Sequence, residues 1–132
     1  FSSAKQISKL LTKKMSKSKL HAATLPFQGI RIEVNDELGV LERLFNSLEK
    51  AKFRNCIVAI ISFHSLEDRI VKNYFKKWSK SCICPDNVFR CECGNNHALG
   101  KIITKKPIIP TTLEIKQNPR SRSSKLRIFK FD

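Results

Sequence analysis

With 132 residues, 41% of them hydrophobic, the chain has room for one modest domain with a real core and falls outside the disordered class. No run of 18 or more apolar residues occurs, which excludes a membrane-spanning helix of ordinary length. The formal net charge of +15 gathers at the ends, with +6 over residues 1–20, +2 over 21–100 and +7 over 101–132.

Two basic ends on a nearly balanced centre predict a polyanionic partner, because neutralised phosphates release counterions and drive binding. The competing reading is a solvated lysine surface, since lysine outnumbers arginine. Phe1-Ser2-Ser3-Ala4 carries neither a methionine nor an apolar signal core, and is read as an internal cut point in a cytoplasmic protein. The five cysteines have no secretory signal beside them, so reduced thiols are expected, with Cys56 in an apolar run and four others clustered at 82–93.

In chain order, Ser3-x-x-Gln6 forms a capping box for a basic helix over 3–17, with Ile7, Leu10 and Leu11 as its apolar stripe. Thr24 caps a second helix that tolerates Pro26 in its first turn. Apolar residues then recur at Phe27, Ile30, Val34, Leu38, Leu41, Phe45 and Leu48, which predicts one long amphipathic helix with a bend near Asn35 to Gly39. Cys56–Ile61 is a continuous apolar run that reads as a central strand buried on both faces, as in a parallel sheet. Ser65-x-x-Asp68 opens the next helix, whose apolar face is Leu66, Ile70, Val71, Tyr74, Phe75 and Trp78.

Residues 81–100 are irregular, and Ile102–Thr104 is a short strand candidate. Thr111-x-x-Glu114 starts a brief helix that Asn118-Pro119 must end. Lys125–Phe131 alternates as a closing strand at a sheet edge. This order of elements reads as part of an α/β layer fold, short of the strands that a complete doubly wound sheet requires.

Three segments carry chemistry. Ser62-Phe63-His64-Ser65 follows a strand and opens a helix, so Ser62, His64 and Ser65 should emerge at the carboxyl edge of the sheet, where ligands bind in open α/β folds. The alternative is that these residues only cap the helix. Asn118–Arg127 alternates arginine with serine after a fixed turn and offers phosphate-binding donors, or else an ordinary basic loop. Cys82-x-Cys84 and Cys91-x-Cys93 form two C-x-C pairs that suit a structural zinc, or remain reduced thiols in a loop. None of the four glycines, at 29, 39, 94 and 100, makes a G-x-G-x-x-G turn, so a nucleotide cofactor would have to be held outside this chain.

Taken together, three stretches resemble one family. They are His21-Ala22-Ala23-Thr24 with Phe27-Gln28 and Ile30–Leu38, Ser62–Lys72, and Thr104–Ile108 with Asn118–Arg127. In order and spacing they are similar to the C-terminal portion of the bacterial MraW-type (RsmH) small-subunit (16S) rRNA (cytosine-N4)-methyltransferases, with Ser62–Lys72 matching over eleven consecutive residues. Ala22 stands where that family usually has proline, and Leu25-Pro26 replaces a pair that typically contains arginine.

The resemblance implies the C-terminal part of a Rossmann-like, S-adenosylmethionine-dependent methyltransferase fold. Residues 1–20 would be the tail of a helical insertion, and 21–132 part of the methyltransferase domain, including the irregular Cys-rich loop 81–100. S-adenosylmethionine would be held in the N-terminal half of the family's fold, so no cofactor-binding residue is expected in this chain and the chain alone is expected to be inactive. Asn35, Ser62, His64 and Ser65 would line the substrate side, with the general base unassigned, and Arg120, Arg122, Lys125 and Arg127 would grip rRNA phosphates. The expected partner is small-subunit rRNA or the ribosomal subunit, with a homodimer as a further arrangement and no membrane. Two rival readings are a non-catalytic basic RNA-binding module and a small interaction domain stabilised by a four-cysteine zinc.

Overall fold

The break in the long amphipathic pattern falls at one residue, Asp36, whose φ of 48° is left-handed and tolerable for aspartate. It separates α1 (Thr24–Asn35) from α2 (Glu37–Ala51). The computed structural model describes residues 24–85 and 90–132. The helix expected over 3–17, the segment 1–20 and His21–Ala23 lie outside them.

The chain divides into two compact units, Phe1–Val40 and Leu41–Asp132. In the first, the Asp36 carbonyl accepts from the Val40 N–H at 2.9 Å, closing the first turn of α2. A Cβ at Gly39 would meet the Asp36 carboxylate, which would have to swing aside to admit it. Arg31 pairs with Glu37 at 2.9 Å across the break.

The second unit holds β1 (Ile57–Ser62), α3 (Ser65–Trp78), β2 (Gly100–Ile102), α4 (Thr112–Gln117), a 3₁₀ helix over Pro119–Ser123 and β3 (Lys125–Phe131). The sheet order is β1-β3-β2, with both pairings antiparallel. β1 and β2 therefore run parallel to each other, one strand apart, with α3 in the connection, as in a split β-α-β unit.

Three sequence expectations are corrected here. β3 lies between the other two strands rather than at the edge. β1 is paired antiparallel and buried on one face only, because strand alternation sends Val58, Ile60 and Ser62 inward while Ile57 and Ile61 stay 64% and 58% exposed. The short strand also begins two residues earlier than Ile102. Ile103 and Thr104 turn instead to share the Ile128 carbonyl.

The core is aromatic. Phe45 of α2, Val71, Phe75 and Trp78 of α3, and Phe129 and Phe131 of β3 are all at most 2% exposed. Trp78 is their centre, with ring centroids 5.5 Å from Phe45, 5.5 Å from Phe129 and 5.1 Å from Phe131. Burial of each such side chain contributes roughly 2–3 kcal/mol, and offset or edge-on aromatic pairing adds about 0.5–1.5 kcal/mol per pair. The indole N–H, a polar group that burial would otherwise leave unsatisfied, donates to Glu49 at 3.1 Å. The same carboxylate accepts from Lys77 at 2.9 Å, and that hydrogen bond holds Glu49 below its ordinary value against the opposing effect of burial.

Candidate nucleic-acid interface at the end of the sheet

β1 ends at Ser62 and the chain turns into α3 within two residues, so the helix start must satisfy its own amides. His64 is the N-cap. Its Nδ1 accepts from the Glu67 N–H at 3.3 Å, and the Glu67 carboxylate accepts from the Phe63 and His64 N–H groups at 2.8 and 3.2 Å. This is a capping box one residue earlier than Ser65-x-x-Asp68, because the imidazole takes the place usually filled by a hydroxyl. His64 Nε2 lies 3.3 Å from Glu67, and the ring is 7% exposed.

The freed Asp68 does something else. Arg127 of β3 donates to it from Nε at 2.7 Å and from Nη2 at 3.2 Å, and Lys125 Nζ stands 3.6 Å away. Hydrogen bonding from Arg127 holds the Asp68 carboxyl below the ordinary 3.8, outweighing burial, with the charges of Arg127 and Lys125 adding to it.

The basic loop is built by a second cap. Asn118 Oδ1 accepts from the Arg120 N–H at 3.3 Å, and the Asn118 carbonyl accepts from the Ser121 hydroxyl at 2.8 Å. Pro119 sits in the first turn of the 3₁₀ helix. The alternation of arginine and serine thus acquires a structural sense. Ser121 turns in and is buried, while Arg120 and Arg122 stay exposed.

β3 pairs Ser62 with Lys125, which brings the two motifs to the same end of the sheet. Of the residues expected at the site, Ser65, Arg120 and Arg122 are exposed, and Lys125 is partly so. Ser62 is inward and 3% exposed, its hydroxyl directed at the Lys125 carbonyl at 3.4 Å. Arg127 is 8% exposed and taken up by Asp68. Both Ser62 and Arg127 lie on the packed face, where the period of two along each strand puts them. Asn35 ends α1 in the first unit, exposed, with its amide donating to Glu37 at 3.4 Å.

Sequence reasoning missed the part played by Glu67 and read Asp68 as a helix cap rather than as the partner of Arg127. The first was detectable, since a glutamate at the third helical position is half of a capping box. The second was not, because no spacing rule links residues 59 positions apart.

Away from this edge, the Sγ atoms of Cys82, Cys84, Cys91 and Cys93 all lie within 4.8 Å of one another. Ile83 and His97 of the same loop line a cleft of about 650 Å³ whose walls also include Trp78, Lys80 and Phe131.

Among the described residues no helix is long and apolar enough to cross a membrane. The sequence matches the family described as the MraW methylase family over residues 1–132. It is similar to the ribosomal RNA small subunit methyltransferase H of Aliarcobacter butzleri, at 87% identity over the whole chain and 44% of that protein. It is also similar to those of Helicobacter hepaticus, at 60% identity over 98% of the chain and 42% of the relative, and Campylobacter jejuni, at 57% over 98% and 42%. The chain spans less than half the length of these curated relatives.

Proposed function

Since the chain belongs to the MraW methylase family, we propose that it forms the substrate-side, C-terminal part of an enzyme that transfers a methyl group from S-adenosylmethionine to the exocyclic N4 of a cytosine in small-subunit rRNA. The observation that carries this reading is the pairing of Ser62 with Lys125, which sets the start of α3 beside the Arg120–Arg122 loop at one end of the sheet. Residues 1–20 are then the tail of a helical insertion, and 21–132 the end of a Rossmann-like methyltransferase domain. The exposed Ile57 and Ile61 of β1 support a larger sheet layer, because an apolar strand face of this kind requires cover.

The described residues do not fit the methyl donor. The N-terminus of α3, the natural cradle at the end of β1, is closed by its own capping box. Gly39 and Gly100 are both held close to other atoms of the chain. The family resemblance implies that the donor is held in the N-terminal half of the family's fold.

This chain's own residues have two tasks. Arg120, Arg122 and Lys125 anchor the RNA backbone, which fixes register without reading sequence. Ser65, exposed at the head of α3, is the polar group offered to a base that has left its stack. The N4 amine is a weak nucleophile because its lone pair is delocalised into the ring, so positioning contributes much of the rate. His64, Glu67, Asp68 and Arg127 hold these groups in place.

Calorimetry separates this reading from a stand-alone RNA-binding module. The whole protein should bind S-adenosylmethionine and small-subunit rRNA, and this chain only the RNA. A whole protein that binds the RNA and not S-adenosylmethionine would favour the module.

A further inference from the structure

Twenty-one residues, from Ser79 to Leu99, join α3 to β2 without a helix or strand among those described. Loops of that length inside a compact unit need something to organise them. The base of this one is closed by backbone hydrogen bonds from Leu99 N–H to Trp78 at 2.8 Å and from His97 N–H to Ser81 at 3.0 Å. Just inside this closure stand the four cysteines.

We propose that Cys82, Cys84, Cys91 and Cys93 form a structural zinc site that pins this loop against the end of α3. The sulfur spacing is right for it. Four thiolates at about 2.3 Å from a tetrahedral zinc lie about 3.8 Å apart. Cys82 and Cys93 are separated by 3.8 Å and Cys91 and Cys93 by 3.4 Å, with all four within 4.8 Å. None of the four is disulfide-bonded, and these separations far exceed the roughly 2.05 Å of a sulfur–sulfur bond.

The backbone is arranged for thiolates. Gly94 at φ 81° and Asn95 at φ 54° make a left-handed turn directly after Cys93, which aims the Asn95 N–H back at the Cys93 sulfur. Ile83 N–H reaches the same sulfur from the other arm at 3.5 Å. Zinc binds thiolates, so each ligand gives up its proton when the metal enters. A zinc ion on four thiolates keeps formal negative charge, and Lys80 and Arg90 stand beside the ligands in the sequence to offset it.

The turn is fixed on its outer side as well. His97 Nε2 is 2.8 Å from the Cys93 carbonyl, and the Ser81 hydroxyl is 2.8 Å from Asn95 Oδ1. Supporting bonds of this kind orient ligands in metal sites. Because Ile83 and His97 form part of the wall beside Trp78, the metal would set the shape of the 650 Å³ cleft.

The test is the metal content of the whole protein, purified under reducing conditions and measured by plasma mass spectrometry and native mass spectrometry. One zinc per chain is expected, with four thiols protected from alkylation until a chelator is added. Cobalt exchanged into the wild-type protein should give the intense visible absorption of a tetrahedral thiolate site. The double variant Cys82→Ser/Cys93→Ser should lose the metal and Cys56→Ser should keep it. A folded, metal-free protein with all four thiols reactive would overturn the proposal. So would disulfides among the four in freshly isolated protein, bound iron in place of zinc, or zinc retained by the double variant.

Discussion

Arg127 on β3 and Asp68 on α3 form a two-bonded ion pair, 2.7 and 3.2 Å long, with side chains 9% and 14% exposed. The pair ties the last strand to the first turn of the helix that follows β1, and so holds the two motifs of the candidate interface together. Removing one partner leaves a desolvated charge on the other, which is the expensive way to break such a pair. Asp68→Asn should therefore destabilise the protein by on the order of 3 kcal/mol in chemical denaturation. The Asp68 value is lowered in the folded state, so its contribution is present above the ordinary 3.8 and fades as pH falls through the lowered value. The gap between wild type and variant should narrow correspondingly in acid. A gap that stays constant down to about pH 2 would place the stabilisation elsewhere.

The cap at His64 and the hydroxyl at Ser65 separate structure from function. His64→Ala removes the acceptor for the Glu67 N–H and should cost about 1 kcal/mol in thermal unfolding. Ser65→Ala should change stability by less than about 0.5 kcal/mol. It should lower methylation by the whole enzyme roughly tenfold, the equivalent of one hydrogen bond. Equal activity in Ser65→Ala and wild type removes Ser65 from the substrate side.

Arg120 and Arg122 are exposed and anchored by the Asn118 cap, so replacing them leaves the turn intact. Arg120→Ala/Arg122→Ala should weaken RNA binding and reduce the slope of log affinity against log salt by about 1 per lost phosphate contact. An unchanged slope would take these arginines off the phosphate backbone.

Gly100 opens β2 opposite Phe131, where a Cβ would overlap the Lys130 carbonyl oxygen. The obstruction is backbone and cannot swing away. Gly100→Ala should cost about 1–3 kcal/mol, read as a lower unfolding midpoint. A neutral substitution would mean that β2 shifts freely.

Lys52 terminates α2 at φ 48°, where glycine is the usual choice. Lys52→Gly should raise stability by roughly 0.5–1 kcal/mol, since relief of the strained backbone outweighs the added freedom of the unfolded chain. A loss of stability would show that the lysine side chain contributes more than the backbone costs.

Local features were legible in the sequence, and pairings distant along the chain were not. The strand at Ile57–Ser62, the Trp78 helix, the Thr111 cap and the stop at Asn118-Pro119 follow from periodicity and capping chemistry, which act within a few residues. The bend expected near Asn35 to Gly39 falls at Asp36. The position of β3 between β1 and β2 depends on pairings across 27 to 73 residues, which alternation alone does not encode. The inward turn of Arg127 has the same origin. An arginine in a basic motif looks like a phosphate ligand until a distant Asp68 is found opposite it.

The most direct measurement of the central claim is methyl transfer by the whole protein from labelled S-adenosylmethionine to small-subunit rRNA, with the product nucleosides separated by mass. The account predicts N4-methylcytidine, diminished by Arg120→Ala/Arg122→Ala at moderate salt. Label on a cytosine carbon, or no label in RNA while S-adenosylmethionine binds, would contradict it.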